Sequence, residues 1–301
     1  MIQKIKTSRI LWSFMFVLIA MIWGVAFVVV KDSVLFIAPV YMVAFRFTIA
    51  FIAGCIFCFF RGARLNKEVL KSGIYLGISL FVAYILQTIG IEYTTAGKNA
   101  FITTVYIILV PFMNFALYRA SLSPAHIIGA VMSFTGVGFL TLGGIDGINI
   151  GDVLTFLCAI SFSVQIILTA RYSPHHDAML LNTIQLGVCA VAGWILAPII
   201  DGPVSQGISF SPSMILSMLY LGLLSTFFAE CVQTYGLRYV DPLLGTILMS
   251  LESVFGVLSS VILLGEKITG KMLLGIVLMF TAIIIVEIQE GKRDNAKNAV
   301  S

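Results

Sequence analysis

The 301-residue chain is 59% hydrophobic and only 11% charged, and its mean hydropathy is +1.06. Soluble globular proteins average about 45–50% apolar and about 25% charged residues, so this composition excludes a chain whose only solvent is water. The formal net charge of +4 comes from scattered lysines and arginines, without the basic stripe and interleaved aromatics of a nucleic-acid surface.

Hydropathy predicts ten membrane-spanning helices of about 20 residues each and no strands. In chain order they cover residues 10–30, 37–60, 70–91, 98–118, 124–142, 152–171, 178–200, 213–236, 242–264 and 271–289. Turn-forming residues separate these runs, for example Arg61-Gly62 and Asp241-Pro242. The predicted fold class is therefore an all-α integral membrane protein whose main solvent is the lipid bilayer.

The second half of the chain repeats the first half at a constant offset of 146 residues. The clearest matches are Gln87, Thr88, Gly90 and Tyr93, which recur as Gln233, Thr234, Gly236 and Tyr239. An odd number of helices per copy gives the two copies opposite orientations in the membrane, which is the plan of many secondary transporters. We therefore predict two inverted five-helix repeats, residues 1–145 and 146–290, followed by a disordered cytoplasmic tail at residues 291–301.

The distribution of lysine and arginine predicts the orientation. With the N-terminus inside, thirteen of the 18 basic residues fall on the cytoplasmic side and four on the outer side, while Arg46 lies within the second helix. The positive-inside rule then places both termini in the cytoplasm, and we expect the plasma membrane, the inner membrane of a bacterium or archaeon. Cysteine labelling from outside is expected to reach positions 146 and 201 and to miss positions 67 and 173.

Three charged residues fall inside predicted spans and away from the span ends: Arg46, Glu230 and Glu252. A charge within a span costs roughly 2.5–3.5 kcal/mol on insertion scales and usually faces a cavity or a partner. At about 1.5 Å per residue, Arg46 and Glu252 both fall near the bilayer midplane, where they are able to pair. Two interpretations stay open, a fixed ion pair that orders the bundle or groups that bind substrate or a coupling proton. Glu230 falls nearer the cytoplasmic end, one turn before Gln233.

Five further residues complete the set of candidates for substrate binding or coupling: Gln87, Gln233, Trp23, Tyr84 and Tyr106. The three aromatic residues suit the wall of an apolar or aromatic-binding cavity. Tyr106 is of special interest because the repeat places it at the position that Glu252 holds in the second copy. Gln87 and Gln233 occupy equal positions of the two copies, so a structural constraint of the repeat is an alternative to a role in the site. Four other polar residues are expected to be interhelical hydrogen-bond partners: Asn114, Gln165, Asn182 and Gln185.

Motifs of soluble enzymes are missing from the sequence, which has no HExxH, GxSxG or GxxxxGK[ST] pattern. We therefore expect no enzymatic activity, no cofactor, no metal site and no nucleic-acid partner. The expected partners are a small-molecule substrate and the lipid bilayer. Gly73 and Gly77 form a GxxxG pattern, so both a monomer and a weak homodimer stay open. The rival functional classes are an intramembrane enzyme and a passive solute channel.

Four stretches of the chain resemble the EamA-like family of the drug/metabolite transporter superfamily. They are Trp23-Gly24 through Lys31, Pro39 through Arg46, Ile91-Glu92-Tyr93-Thr94-Thr95-Ala96-Gly97 through to Pro111, and Leu264-Gly265-Glu266-Lys267. The last stretch is similar to the LGE signature of the family. The first repeat departs from that signature, because Tyr118-Arg119-Ala120 stands in the equivalent place.

This resemblance implies a plasma-membrane carrier, often an exporter, of amino acids, metabolites or toxic organic compounds. It also implies a central cavity formed largely by helices 1, 3, 4, 6, 8 and 9. Together with the repeat, it leads us to predict a secondary transporter that works by alternating access about a midplane site. Substrate identity, export against import, and proton coupling against facilitated exchange stay open.

Overall fold

A computed structural model describes residues 2–119, 122–141, 148–203, 211–264 and 269–300. Within these ranges the regular elements are helices and no β-strand occurs, which confirms the all-α prediction. The α-helices are α1 (Ile2–Ser33), α2 (Pro39–Phe60), α3 (Lys67–Tyr93), α4 (Ala96–Thr103), α5 (Tyr106–Tyr118), α6 (Pro124–Thr141), α7 (Ile150–Tyr172), α8 (Ala178–Ile200), α9 (Pro212–Leu219), α10 (Ala229–Gly236), α11 (Pro242–Met249), α12 (Glu252–Leu264) and α13 (Gly270–Val300). A 3₁₀ turn covers Ser173–His175, and a π-helical segment, Tyr220–Phe228, connects α9 to α10.

Eight helices in the described ranges are long and apolar enough to cross a membrane. Four of them are composite: α4 with α5, α7 with the 3₁₀ turn, α9 with the π segment and α10, and α11 with most of α12. Two shorter apolar helices, Pro124–Phe139 and Gly270–Val286, occupy the places of the fifth and tenth predicted spans. Each predicted span thus coincides with helical structure, while the count of ten crossings and the inversion of the repeats stay predictions.

Two of the sequence assignments fall on residues that the structure does not describe: Asp146 and the Gly265–Lys267 part of the LGE motif. The C-terminal tail differs from the prediction. Residues from 291 were predicted to be disordered, whereas α13 continues as a helix to Val300. Lysine, arginine and alanine favour helices, and lengthening an existing helix needs no new nucleus. Hydropathy measures neither effect, so it did not predict a helix here.

Two spans are interrupted at positions that match in the repeat. Thr104 and Val105 separate α4 from α5, and Ser250 and Leu251, 146 residues later, separate α11 from α12. The hydroxyl groups of Thr104 and Ser250 each donate a hydrogen bond to the backbone carbonyl three residues earlier, at 2.7 Å in both cases. Such local bonds compete with the regular helical ladder. Hydropathy alone predicted uninterrupted fourth and ninth helices.

Close helix packing at a glycine places α1 against the start of α12. A Cβ atom added to Gly24 would lie 2.6 Å from the carbonyl oxygen of Glu252 and 2.7 Å from the backbone nitrogen of Gly256. Only a residue without a side chain allows the two backbones this approach. The contact holds the part of α1 that carries Trp23 beside the interrupted span formed by α11 and α12.

The GxxxG pattern of α3 packs inside the chain. Added Cβ atoms at Gly73 and Gly77 would each lie 2.5 Å from a side chain of α8, Ile184 and Val188 respectively. These two glycines therefore serve the α3–α8 contact. The pattern supplies no argument for a homodimer, and the oligomeric state stays a prediction.

Candidate functional site

A cavity lies between the two halves of the chain, bordered by α1, α2, α3, α4, α5, α7, the π segment, α10, α11 and α12. Its empty space is about 590 Å³ when its open side is included. The wall contains seven of the eight candidate residues: Trp23, Arg46, Tyr84, Gln87, Tyr106, Gln233 and Glu252. Glu230 is outside the wall, 1% exposed, and contacts it through Tyr84.

The wall also includes residues that were not among the candidates, for example Phe27, Asn99, Thr103, Phe162, Ser225 and Met249. A signal for Asn99 and Thr103 was present, because they are polar residues four apart at the start of an apolar run. Ser225 gave no such signal. The second helix also borders the cavity through Arg46, so the six helices that the family resemblance implied do not complete the wall.

Arg46 is held against the π segment. Its Nε donates to Oγ1 of Thr226 at 2.9 Å and its Nη2 donates to Oγ of Ser225 at 3.2 Å. The carbon of the guanidinium lies 4.6 Å from the ring centre of Tyr84, a cation–π distance. Arg46 is 3% exposed, and its Nη1 has no hydrogen-bond partner among the residues described. The Nη1 nitrogen of a cation that belongs to the cavity wall is thus without a protein partner in the described part of the chain.

Glu230 lies behind the aromatic ring that contacts Arg46. Its Oε1 accepts a hydrogen bond from the hydroxyl group of Tyr84 at 3.2 Å, and its Oε2 is buried without a partner in the described part of the chain. Tyr84 therefore connects the two charges without a direct salt bridge. Glu230 is therefore buried behind the cavity wall and holds Tyr84, a residue of that wall, through the hydrogen bond to its hydroxyl group.

Glu252 has a different partner from the one that its depth suggested. Its Oε1 accepts a hydrogen bond from the hydroxyl group of Tyr106 at 3.3 Å, whereas the Arg46 guanidinium is bonded to Thr226 and Ser225. The Arg46–Glu252 ion pair that the sequence made feasible is not formed. Rise per residue gives depth but not rotation about the helix axis, so the direction in which Arg46 points was not predictable. Within the described ranges, Oε2 of Glu252 has no hydrogen-bond partner.

Three hydrogen bonds join residues separated by 146 positions, the offset of the sequence repeat. They are Tyr84 to Glu230, Tyr106 to Glu252, and Trp194 Nε1 to Thr48 Oγ1, the last at 2.9 Å. In a protein whose two copies are related by a two-fold axis, residues at equal positions touch each other only beside that axis. The helix pair α6 and α13 also lies in contact at this offset. The two Tyr–Glu bonds thus lie where the halves meet, at the cavity wall.

Gln233 is the cavity end of a chain of buried carboxamides. Its Nε2 donates to Oε1 of Gln165 at 2.8 Å, Gln165 donates to Gln185 at 3.3 Å, and Gln185 donates to Asn182 at 2.7 Å. The Nδ2 of Asn182 donates to the Sγ of Cys231 at 3.0 Å. The prediction that Gln165, Asn182 and Gln185 are interhelical partners is confirmed, while Asn114 does not join this chain.

The sequence matches the model of the EamA-like transporter family twice, over residues 10–142 and 149–288, one match in each predicted repeat. It is 32% identical over 272 residues to an uncharacterized transporter of Archaeoglobus fulgidus, covering 90% of this chain and 84% of that protein. It is 24% identical over 286 residues to a probable amino-acid metabolite efflux pump of Salmonella typhimurium, covering 90% and 93%. A solved crystal structure aligns with a TM-score of 0.76 at 19% identity over 94% of this chain and 97% of that chain, which shows a shared fold.

Proposed function

The chain belongs to the EamA-like transporter family, and from that premise we propose that it is a secondary transporter that exports small zwitterionic metabolites of the amino-acid type. It is a multi-pass membrane protein, with eight described helices long and apolar enough to cross a bilayer. The name of the Salmonella typhimurium relative, a probable amino-acid metabolite efflux pump, supports this substrate class and direction. The proposed location is the plasma membrane with both termini in the cytoplasm.

One observation carries the substrate class: the cavity wall holds two opposite charges that are not bonded to each other. Arg46 has a donor without a partner and Glu252 has an acceptor without a partner, counted over the described residues. A buried charge is costly until an opposite charge meets it. A zwitterion supplies a carboxylate to Arg46 and an ammonium group to Glu252, so binding offsets both costs. The aromatic walls, with Trp23 and Phe162, suit an apolar side chain.

Alternating access follows from the relation between the halves. In an inverted-repeat transporter, each copy adopts the conformation of the other when the cavity changes sides. A contact between two residues 146 positions apart is then kept, whereas any other contact is replaced by the contact between the equivalent residues of the other copies. The Tyr84–Glu230 and Tyr106–Glu252 bonds are therefore proposed to persist in both states. The wall residues of α1 and α3 lie in the halves of these helices that the positive-inside rule places outside, so the present state is proposed to face outward.

Coupling to protons is proposed to act at Glu252. A carboxylate that accepts one tyrosine hydroxyl and has no cationic partner in the described part of the chain binds either a proton or an ammonium group. Because the proton and the substrate ammonium group cannot occupy the Glu252 carboxylate at the same time, the entry of a proton into the cell would drive the exit of the amine. Arg46 stays charged in either case and holds the carboxylate end of the substrate.

The test is counterflow in proteoliposomes. Vesicles loaded with unlabelled neutral amino acids are expected to accumulate the same labelled amino acid transiently, with a rate that saturates with concentration. Flux that rises linearly without counterflow would identify a channel. Chemical conversion of the solute, seen by mass spectrometry without net movement, would identify an intramembrane enzyme.

A further inference from the structure

The two repeat-related glutamines of the cavity wall have their amide nitrogens bonded inside the protein. Nε2 of Gln87 donates to Oγ1 of Thr103 at 3.2 Å, and Nε2 of Gln233 donates to Oε1 of Gln165 at 2.8 Å. Neither glutamine has a hydrogen-bond partner for its Oε1 within the described ranges, and both line the cavity. The symmetric pair therefore offers the cavity two carbonyl oxygens, which are acceptors only.

The carboxamide chain behind Gln233 supports this orientation of its side chain. Every link runs in the same direction, and at the far end the Sγ of Cys231 accepts from Asn182 and donates to the Sδ of Met179 at 3.7 Å. Each amide in such a chain polarises its neighbours, so the amide at the donor end of the chain has a carbonyl oxygen that is a stronger acceptor. That oxygen is Oε1 of Gln233. The chain is fully buried, with Gln165, Gln185 and Asn182 at 0% exposure.

A third amide oxygen lies on the side of Gln87. Nδ2 of Asn99 donates to the backbone carbonyl of Gln87 at 3.2 Å and to Oγ1 of Thr155 at 2.9 Å. Its Oδ1 is buried without a hydrogen-bond partner in the described part of the chain, although Asn99 belongs to the cavity wall and is 0% exposed. A buried amide oxygen without a donor is costly, so a ligand that brings N–H groups would be favoured here.

From this surplus of acceptors we infer that Gln87, Gln233 and Glu252 form a subsite for the ammonium group of a protonated primary amine. A primary ammonium group carries one positive charge and three N–H donors, which match one carboxylate and two amide oxygens. Arg46, which belongs to the same wall, is left for the carboxylate. The inference rests on the proposed transport function and adds the residues that recognise the amine by hydrogen bonding rather than by charge alone.

Binding to the purified protein in detergent tests the subsite with four matched probes, measured by isothermal titration calorimetry. Phenethylamine carries the amine alone, 3-phenylpropanoate the carboxylate alone, and phenylalanine both. N,N,N-trimethylphenethylammonium keeps the charge but has no N–H donor. Phenylalanine and phenethylamine are expected to bind, and the trimethyl probe to bind at least about tenfold more weakly than phenethylamine, since hydrogen bonds to a charged group carry that much affinity. Equal affinity of phenethylamine and N,N,N-trimethylphenethylammonium would overturn the role of the amide oxygens. Failure of both phenylalanine and phenethylamine to bind would overturn it as well.

The substitution Gln87→Met removes the acceptor at nearly constant size. It is expected to weaken phenethylamine about tenfold and to leave 3-phenylpropanoate unchanged. Gln87→Glu, which keeps an acceptor, is expected to retain amine binding. Gln289→Met, on α13 away from the cavity wall, is the matched control and should change neither probe. Equal loss for both probes in Gln87→Met would mark a structural effect and overturn the subsite.

Transport is measured separately, so the two proposals fail in different ways. Absence of counterflow together with binding of amines that depends on Gln87 would reject the carrier and keep the subsite. Counterflow of solutes that lack an amine, with no preference for primary amines in either assay, would reject the subsite and keep the carrier.

Discussion

Tyr106 and Glu252 lie 146 residues apart, at equal positions of the two repeats, and their side chains are hydrogen-bonded to each other, with Oη donating to Oε1 at 3.3 Å. Tyr84 and Glu230 form a second pair with the same relationship. In both pairs the first repeat supplies the neutral hydroxyl and the second repeat supplies the carboxylate. Two copies of one sequence repeat thus form a site that is asymmetric in charge, as the proposed zwitterionic solute requires.

The first prediction concerns the independence of Arg46 and Glu252. Because each has other partners, Glu252→Gln and Arg46→Gln should change stability additively, with a coupling energy below about 0.5 kcal/mol. The measurement is chemical unfolding of the wild type, both single variants and the double variant in one detergent. Recovery of stability in the double variant would show that the two charges pair after all.

Proton coupling is predicted to depend on Glu252. Proteoliposomes that contain Glu252→Gln should still exchange solute, with reduced affinity, but the rate should no longer respond to an imposed pH gradient, because an amide does not titrate. Glu92→Gln, at an exposed carboxylate near the end of α3, is the matched control and should respond as the wild type does. An unchanged pH response in Glu252→Gln would remove Glu252 from the coupling mechanism.

Arg46→Lys is predicted to destabilise the fold although the charge is kept. A lysine cannot reproduce the Nε bond to Thr226 together with the Nη2 bond to Ser225 and the planar contact with the Tyr84 ring. The expected loss is about 1–3 kcal/mol in the free energy of unfolding. Arg64→Lys, in the exposed connection before α3, should cost little. Equal stability of the two variants would contradict the contacts assigned to Arg46.

Gly24→Ala is predicted to reduce stability through a clash between α1 and α12. The added methyl group would lie 2.6 Å from the carbonyl oxygen of Glu252, so the helices must separate, at a cost of about 1–3 kcal/mol. Gly270→Ala is the control, since nothing lies within 4 Å of an added Cβ there. Thermal unfolding compares the two, and a neutral Gly24→Ala would show that the contact is not close.

The orientation is tested by labelling introduced cysteines with a membrane-impermeant maleimide, in a background where the exposed Cys55 is replaced by alanine. Pro203→Cys should react from outside and Lys67→Cys only after the membrane is opened. Position 201 is less suitable, because Oδ2 of Asp201 accepts hydrogen bonds from the backbone nitrogens of Val40 and Tyr41. Position 173 is buried. The reversed labelling pattern would overturn the assigned orientation.

Residue identity and spacing along the chain were sufficient to predict the helices, the sequence repeat and seven of the 17 residues of the cavity wall. Apolar runs of membrane length form helices because no water is present to bond an open backbone. Trp23, Tyr84 and Tyr106 were selected as aromatic residues inside spans, and Glu252 as a charge that lipid does not tolerate. Each of these inferences needs only the local sequence and the bilayer.

The partners of these residues were decided by tertiary structure. Arg46 points to the π segment and Glu252 to Tyr106 because of helix rotation and packing at Gly24 and Gly222, which depth along a helix does not specify. The breaks after α4 and α11 depend on hydroxyl bonds that many unbroken helices also contain. The direction of the carboxamide chain depends on three helices at once. Local sequence determines which side chains must avoid lipid, but only the packing of all helices determines which of them meet.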